Sequence, residues 1–208
     1  MSIKVIVFDF DGVLADSFDV LYNLNREAMV LVGVSLSREQ YRDLFDTNIH
    51  QGFRRLILDE TAYNSFIAFK KENFASRYEG VGVFPGITSA VRDLAGRYTL
   101  AISSSTLKEY ISTFLKKNRI DDCFKYIVGN QDHSKAKGIE EIKNNLGYQY
   151  LDMIMVSDTT ADLAVAKELG MMTAAVTWGF HDPAKLSLLV PTVIIDSPTK
   201  LILSLTSL

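Results

Sequence analysis

Short apolar segments with the character of buried strands alternate with helical patterns along most of this chain of 208 residues. The strand segments are residues 3–8, 98–103, 124–128, 151–156, 173–177 and 192–195. Apolar residues at helical spacing separate the strands from one another, which is typical of a parallel sheet covered by helices on both faces. The alternation therefore predicts a three-layer α/β core.

One helical stretch of unusual length interrupts this alternation directly after the first strand. Between residues 18 and 80, apolar side chains recur at helical spacing and no strand signal occurs. Within this stretch, residues 37–40 form a capping box, which predicts that a helix begins there. We therefore predict a core built from residues 1–15 and 83–208, and an all-helical domain inserted at residues 16–82.

Polar side chains follow three of the predicted strands, where each strand ends. They are Asp9, Asp11, Ser103, Ser104, Ser105, Asp158 and Asp162. Lys135 lies in a polar loop that we expect to run to residue 137, before a helix over residues 138–146. Because ligands of parallel sheets lie at the carboxyl ends of the strands, these side chains are candidates for a common site.

The charges of these candidates predict the chemistry of the site. Clustered carboxylates repel one another and stay partly protonated unless a cation joins them. Oxygen ligands suit Mg²⁺, whereas hydroxyl groups, a helix N-terminus and the Lys135 ammonium favour an anion. A Mg²⁺ site beside a phosphate site satisfies both requirements. One carboxylate could then attack phosphorus, and a protonated one could act as general acid and base.

The hydroxyl groups after the second core strand leave two alternatives open. Thr106 and Glu109 have the spacing of a capping box, so we expect Thr106 to cap the following helix. This assignment leaves Ser104 available for function, with Ser103 as its alternative.

Four motifs in order resemble those of the haloacid dehalogenase superfamily of phosphohydrolases. DFDGVLADS, residues 9–17, resembles the first motif, and Ser104 in LAISSST resembles the second. Lys135 in HSKAK and the segment VSDTTAD, residues 156–162, resemble the third and the fourth. The inserted helices and the segments VFPGITSAVRDLAG and AVTWGFHDPAKL are similar to the phosphoglycolate-phosphatase-like branch, which has a helical cap. The resemblance implies a Rossmann-like core with that cap.

The resemblance also implies a role for each matched acidic residue. Asp9 would be the nucleophile, and Asp11 the general acid and base. Mg²⁺ would be held by the Asp9 carboxylate, the Asp11 backbone carbonyl and Asp158. Asp162 would complete the metal site, supporting either Lys135 or a water molecule on the metal.

The same resemblance implies a phosphate-binding set. Ser104 with Ser105 would bind the phosphate, Lys135 would neutralise its charge, and Gly12 would let the backbone approach the phosphoryl group. Arg54 in the cap is a candidate for binding an anionic part of the substrate.

Two departures from the family pattern bear on the site. Ser157 stands where glycine is usual, so we expect slight crowding of the metal loop. Lys135 is followed by Ala136 instead of proline, which leaves Lys137 as an alternative third-motif lysine. His50, His133 and His181 lack metal-ligand spacing and are interpreted as surface or structural residues. Trp178 is interpreted as packing near the site.

We therefore predict a Mg²⁺-dependent phosphatase that hydrolyses a small phosphate monoester through an aspartyl-phosphate, with phosphoglycolate as the first expectation. A sugar phosphomutase of the same superfamily is the nearest alternative, because it would share all four motifs. A phosphate-accepting signalling receiver or a binding protein is the alternative from another class.

Composition and charge limit the partners. The net charge is −3 without a long basic run, so neither nucleic acid nor an anionic membrane is an expected partner. We find no signal peptide and no membrane-spanning run. Cys123 is the only cysteine, which fits a reducing compartment. The expectation is a cytoplasmic monomer or homodimer whose partner is a small phosphate ester.

Overall fold

The computed structural model describes residues 3–129 and 134–208, so the interpretation of His133 lies outside the described residues. Within these two ranges, no helix is both long and apolar enough to cross a membrane. The chain divides into two compact units. The core unit comprises Met1–Asp16 and Val83–Leu208, and the helical unit comprises Ser17–Gly82.

The strands belong to two sheets of very different size. In chain order they are β1 (Val5–Phe8), β2 (Ala15–Asp16), β3 (Gly82–Val83), β4 (Thr99–Ser104), β5 (Phe124–Gly129), β6 (Met153–Ser157), β7 (Met172–Val176) and β8 (Val193–Ile195). The short β2 and β3 pair with each other, and the other six strands form one sheet in the order β5-β4-β1-β6-β7-β8. All neighbours in this large sheet are parallel.

The strand order reverses at β1, because β4 pairs with one of its edges and β6 with the other. Phe8 of β1 is in register with Ile102 of β4 and with Val156 of β6. The residues that follow these three positions are therefore at one level of the sheet, and they are Asp9, Ser103 and Ser157. Ligands of open α/β sheets bind at the carboxyl ends of the strands beside such a reversal.

Apolar side chains bury both faces of the large sheet. Val5 and Val7 share one hydrophobic cluster with Ile139 and Ile142. Because side chains alternate along a strand, the neighbouring residues at positions 6 and 8 face the opposite side, where they too are fully buried. Each fully buried side chain of this kind stabilises the fold by about 1.5–3 kcal/mol. The predicted α/β core with a central parallel sheet is confirmed.

Helices occur in both units. In chain order they are α1 (Phe18–Leu31), α2 (Arg38–Asp43), α3 (Ile49–Leu56), α4 (Glu60–Tyr78), α5 (Ile87–Ala95), α6 (Lys108–Lys117), α7 (Lys135–Leu146), α8 (Thr160–Glu168), α9 (Pro183–Ser187) and α10 (Leu201–Thr206). The first four form the helical unit, where Tyr41, Phe53 and Phe66 are fully buried in a separate hydrophobic cluster. The predicted capping box is present at the start of α2, where Ser37 and Gln40 exchange hydrogen bonds.

Two predictions about helix starts in the core unit are wrong. Helix α7 begins at Lys135 instead of residue 138, because Ser134 caps it by accepting a hydrogen bond from the Lys137 N–H at 3.3 Å. Helix α6 begins at Lys108, and Thr106 does not cap it. The Thr106 hydroxyl has instead a long-range partner in the candidate site, which outcompetes the local cap.

Candidate active site

Lys135 joins two of the predicted carboxylates. Its ammonium lies 2.9 Å from Asp9 Oδ1 and 2.7 Å from Asp162 Oδ2, and it donates to the Ser103 carbonyl at 2.8 Å. The three charged side chains are only 11–12% exposed, so solvent screens their attraction weakly. Of the two alternative lysines, the structure brings Lys135 into this cluster, whereas the Lys137 N–H helps to cap α7.

These buried charges shift one another's ionisation. Burial lowers the pKa of the Lys135 ammonium, but the Asp162 and Asp9 carboxylates outweigh this effect and raise the pKa above its ordinary value. Burial raises the pKa of the Asp9 carboxyl well above its ordinary value despite the attraction of Lys135, and the charges of Asp162 and Asp158 add to the rise. The single Lys135 ammonium does not balance the negative charges of Asp9, Asp158 and Asp162. A further cation near these carboxylates would favour the ionised form of Asp9.

Asp9 and Asp11 have different partners although only Phe10 separates them. Asp9 Oδ1 accepts from the Phe10 N–H at 2.8 Å as well as from Lys135, whereas Asp11 Oδ2 accepts from the Thr106 hydroxyl at 2.6 Å. The Phe10 ring is fully buried edge-on against Phe114, with ring centroids 5.0 Å apart. Anchoring the residue between the two carboxylates holds them in separate surroundings, which allows them different chemical roles.

Ser103 and Ser104 point to opposite faces of β4, as successive strand residues do. The Ser103 hydroxyl lies against α7, where a Cβ on Gly138 would approach its oxygen to 2.8 Å. Ser104 is also buried, and its hydroxyl oxygen accepts from the Thr106 N–H at 3.0 Å. Ser105 is exposed to solvent. The structure thus places Ser104, not Ser103, next to the residue that binds Asp11.

Asp158 is completely buried and has one oxygen without a partner. Its Oδ2 accepts from the Phe180 N–H at 2.7 Å, whereas Oδ1 has no hydrogen-bond partner among residues 3–129 and 134–208. Burial raises the pKa of Asp158 to about 7, although the N–H groups of Phe180 and of Asp158 itself oppose the rise. An unpaired buried carboxylate oxygen is costly, so its position calls for a cation or a proton.

Gly12 and Gly179 enclose the Asp158 carboxylate. Gly12 has a φ of +80°, and a Cβ there would lie 2.0 Å from Asp158 Oδ2. A Cβ on Gly179 would lie 2.2 Å from the same oxygen. Gly12, predicted to let the backbone approach phosphate, therefore also leaves the space that Asp158 occupies.

Ser157 is accommodated by hydrogen bonds within the fourth motif. The residue is fully buried, and its hydroxyl donates to Asp162 Oδ2 at 3.3 Å and lies 3.4 Å from Thr159 Oγ1. Asp162 Oδ2 is therefore shared by Ser157 and Lys135. The serine that departs from the family pattern thus contributes a donor to the charged cluster.

Arg54 belongs to the helical unit and is paired within it. Its guanidinium donates to both carboxylate oxygens of Glu60, at 2.9 and 2.7 Å, and lies 3.8 Å from the centre of the Tyr63 ring. To bind a substrate anion, Arg54 would have to exchange or share this carboxylate. Its predicted role in substrate binding stays a prediction.

The bond of Thr106 to Asp11 and the contacts of the residues after β7 were not predicted from the sequence. Thr106 was interpreted as a helix cap. His181 was interpreted as a surface or structural residue, and it is buried, as a structural residue would be. The Trp178 indole donates to the Val13 carbonyl at 3.1 Å, within the core unit. The sequence could have indicated that residues 177–182 lie near the site. They directly follow β7, so they leave the sheet at the same edge as Asp9.

The donor set fits a hard divalent cation. Asp9, the Asp11 carbonyl and Asp158 offer oxygen ligands only, and Asp158 Oδ1 lacks any other partner among the described residues. Within residues 3–129 and 134–208, no three acidic, histidine or cysteine side chains by themselves form a group that could hold a metal ion. Water and substrate oxygens would complete the coordination, as is usual for Mg²⁺. Asp162 Oδ2 is engaged by Lys135 and Ser157, and its predicted part in the metal site stays a prediction.

The chain is similar to known proteins over nearly its full length. A family model of haloacid dehalogenase-like hydrolases matches residues 6–176. A phosphoglycolate phosphatase of Synechococcus elongatus is 26% identical over 99% of this chain and 98% of its own. The pyrophosphatase PpaX of Oceanobacillus iheyensis is 25% identical over 94% of each chain.

Solved structures agree with the fold. A haloacid dehalogenase-like hydrolase of Streptococcus pneumoniae superposes with a TM-score of 0.86 at 23% identity, covering 97% of this chain and 98% of its own. The family predicted from the four motifs, and with it the class of enzyme, is confirmed by the match over residues 6–176. The chain belongs to the haloacid dehalogenase-like hydrolase family.

Proposed function

We propose that this protein is a Mg²⁺-dependent phosphatase that hydrolyses a small phosphate monoester through an aspartyl-phosphate on Asp9. One observation carries the proposal: Lys135 bridges Asp9 and Asp162 while Asp11 is held separately by Thr106. The arrangement gives one carboxylate the surroundings of a charge-stabilised nucleophile and the other those of a proton carrier. The names of the relatives from Synechococcus elongatus and Oceanobacillus iheyensis, a phosphoglycolate phosphatase and a pyrophosphatase, support hydrolysis of a small phosphate compound.

The two carboxylate oxygens of Asp9 differ in their hydrogen bonds, and this difference indicates which of them would act as the nucleophile. Oδ1 accepts from Phe10 and Lys135, so Oδ2 is the oxygen that would attack phosphorus. In the first step, an Asp9–phosphorus bond forms and the ester bond to the leaving alcohol breaks. Asp11 gives its proton to the leaving oxygen. Ser104 and Lys135 would bind the transferring group as its charge is redistributed.

The second step returns Asp9 and Asp11 to their starting states. Asp11, now ionised, takes a proton from a water molecule that attacks phosphorus, and the bond to Asp9 breaks. Inorganic phosphate leaves, Asp9 is again a carboxylate and Asp11 is again protonated. Mg²⁺, held by Asp9, the Asp11 carbonyl and Asp158, would supply neutralisation of phosphate charge. The helical unit is proposed to be the family's cap, with Arg54 as a candidate substrate ligand.

The test is phosphate release from a panel of esters that includes phosphoglycolate, hexose phosphates and pyrophosphate. Each compound is assayed with Mg²⁺, with chelator, and with the variant Asp9→Asn. Asp196→Asn is the matched control, because Asp196 is an exposed carboxylate paired with Lys200. We expect release that requires Mg²⁺ and Asp9 and is unaffected in the control.

Other results would redirect the assignment. Isomerisation of a hexose 1-phosphate without net phosphate release would indicate a phosphomutase. Stable phosphorylation of the protein without turnover would indicate a receiver. Release that persists with chelator and in Asp9→Asn would contradict the proposed mechanism.

A further inference from the structure

Residues 178–181, here called the WGFH segment, connect the loops that follow β1 and β6. The Trp178 indole donates to the Val13 carbonyl at 3.1 Å. The Phe180 N–H donates to Asp158 Oδ2 at 2.7 Å, and the His181 N–H donates to the Asp158 carbonyl at 3.3 Å. One short segment after β7 therefore binds both loops that carry the proposed metal ligands.

His181 extends this connection to the start of α8. The residue is 2% exposed, and its ring Nδ1 accepts from the Thr160 N–H at 3.1 Å. Thr159 precedes the helix but makes no side-chain cap bond. The imidazole therefore satisfies one of the N–H groups at the start of α8 that have no partner within the helix. Because Nδ1 is the acceptor, we assign the proton of the neutral ring to Nε2.

Close packing of two glycines also restricts Asp158. A Cβ on Gly12 would lie 2.0 Å from Asp158 Oδ2, and a Cβ on Gly179 would lie 2.2 Å from it, so neither position has room for a side chain. The carboxylate is thus enclosed by two glycines and bound at Oδ2 by Phe180, while Oδ1 has no partner among the described residues. A side chain held in this way has little freedom to rotate, so Oδ1 keeps one direction before any ligand arrives.

We propose that the WGFH segment is a positioning element for Asp158, which it holds through Phe180 and His181 so that Oδ1 is presented to a divalent cation. The proposal rests on the proposed function for the identity of the site, but it concerns metal affinity and not hydrolysis. Gly179 and His181 act through Asp158 and do not touch the reacting atoms. Groups that orient a metal ligand typically change metal affinity by about 10–100-fold when removed.

The experiment measures Mg²⁺ binding to the full chain by titration calorimetry without substrate. Gly179→Ala should weaken Mg²⁺ binding at least tenfold, with the far-ultraviolet circular dichroism unchanged. Gly96→Ala is the matched control, because a Cβ there meets its nearest atom at an ordinary 3.5 Å. We expect the control to bind Mg²⁺ like the wild type. Gly179→Ala that folds and binds Mg²⁺ with wild-type affinity would overturn the proposal.

A second pair of variants covers the case in which Gly179→Ala does not fold. His181→Ala removes the acceptor for Thr160, whereas His181→Asn offers an amide oxygen in its place. We expect weaker Mg²⁺ binding in the alanine variant and recovery in the asparagine variant. Equal affinity of the wild type and His181→Ala would overturn the proposal.

The outcome is separable from that of the proposed function. Mg²⁺ binding that depends on Gly179, in a protein that hydrolyses no ester, would support the positioning role and contradict the phosphatase. Mg²⁺-dependent hydrolysis combined with full metal affinity in Gly179→Ala would support the phosphatase and contradict the positioning role.

Discussion

Thr106 connects two groups to which separate roles are proposed. Its hydroxyl donates to Asp11 Oδ2 at 2.6 Å, and its N–H donates to the Ser104 hydroxyl at 3.0 Å. The residue is 7% exposed, so water does not readily replace these bonds. A hydrogen bond within a protein contributes about 0.5–1.5 kcal/mol. Thr106 therefore orients the proposed acid and base as well as the proposed phosphate ligand.

The variant Thr106→Val keeps the shape of the side chain and removes the donor to Asp11. We expect kcat to fall about tenfold, corresponding to roughly 1.4 kcal/mol, with a much smaller change in KM. Thr106→Ser restores the hydroxyl and should restore most of kcat. Steady-state kinetics on the best ester measures both quantities.

Thr113→Val serves as the control, because the Thr113 hydroxyl donates only to the Glu109 carbonyl on an exposed face of α6. Equal kcat values for Thr106→Val and this control would show that the bond to Asp11 has no part in turnover.

Lys135 is the first residue of helix α7, and the distance between α7 and β4 depends on Gly138. A Cβ at position 138 would lie 2.8 Å from Ser103 Oγ and 3.3 Å from Val128 Cγ1. The Lys135 ammonium, one turn earlier, donates to the Ser103 carbonyl. Because α7 lies close to β4 at Gly138, the Lys135 ammonium lies within hydrogen-bond distance of Asp9.

Gly138→Ala has two opposite effects on stability: it increases helix propensity and it crowds the contact between α7 and β4. Alanine favours a helix interior by about 1 kcal/mol over glycine, whereas overpacking a buried contact costs about 1–3 kcal/mol. We expect packing to prevail, so that the urea midpoint falls and kcat falls as Lys135 moves. Urea unfolding and steady-state kinetics measure the two effects. A variant with a raised urea midpoint and unchanged kcat would show that the contact between α7 and β4 accommodates a Cβ at position 138.

At the scale of the whole molecule, the sequence predicts the fold better than the contacts between distant loops. Strand ends predicted that Asp9 and Asp158 would lie at one edge of the sheet, and the structure has them there. The role of Thr106 was missed because a local capping pattern competes with a partner 95 positions away. The bond from Phe180 to Asp158 involves a backbone N–H, which leaves no signature in residue type.

The stability of the whole chain should also depend on one lysine in the helical unit. Lys70 of α4 lies over the rings of Phe53 and Phe66, 4.8 and 4.9 Å from their centres. Burial lowers the pKa of this ammonium to about 8 from an ordinary value of 10.5. Between these two pH values the unfolded chain binds more protons than the folded chain, so Lys70 makes stability increase with pH there.

Lys70→Met should raise the melting temperature at pH 7, because it removes an ammonium whose charged form is disfavoured by burial and keeps the apolar stem. The gain over wild type should shrink between pH 8 and pH 10, where the wild-type lysine becomes neutral. Thermal unfolding followed by circular dichroism at several pH values measures both effects. Lys71→Met, at an exposed position on the same helix, is the control. A melting temperature that falls in Lys70→Met at pH 7 would contradict the prediction.

The central position of β1 has a consequence for the order of events during synthesis. Residues 5–8 pair with residues 99–104 and 153–157, so the middle strand of the sheet emerges from the ribosome long before either neighbour. At about 5–20 residues per second, β1 waits roughly seven to thirty seconds for β6. The helical unit is contiguous in sequence, so every residue of its hydrophobic cluster is synthesised before β4, the first strand that can pair with β1.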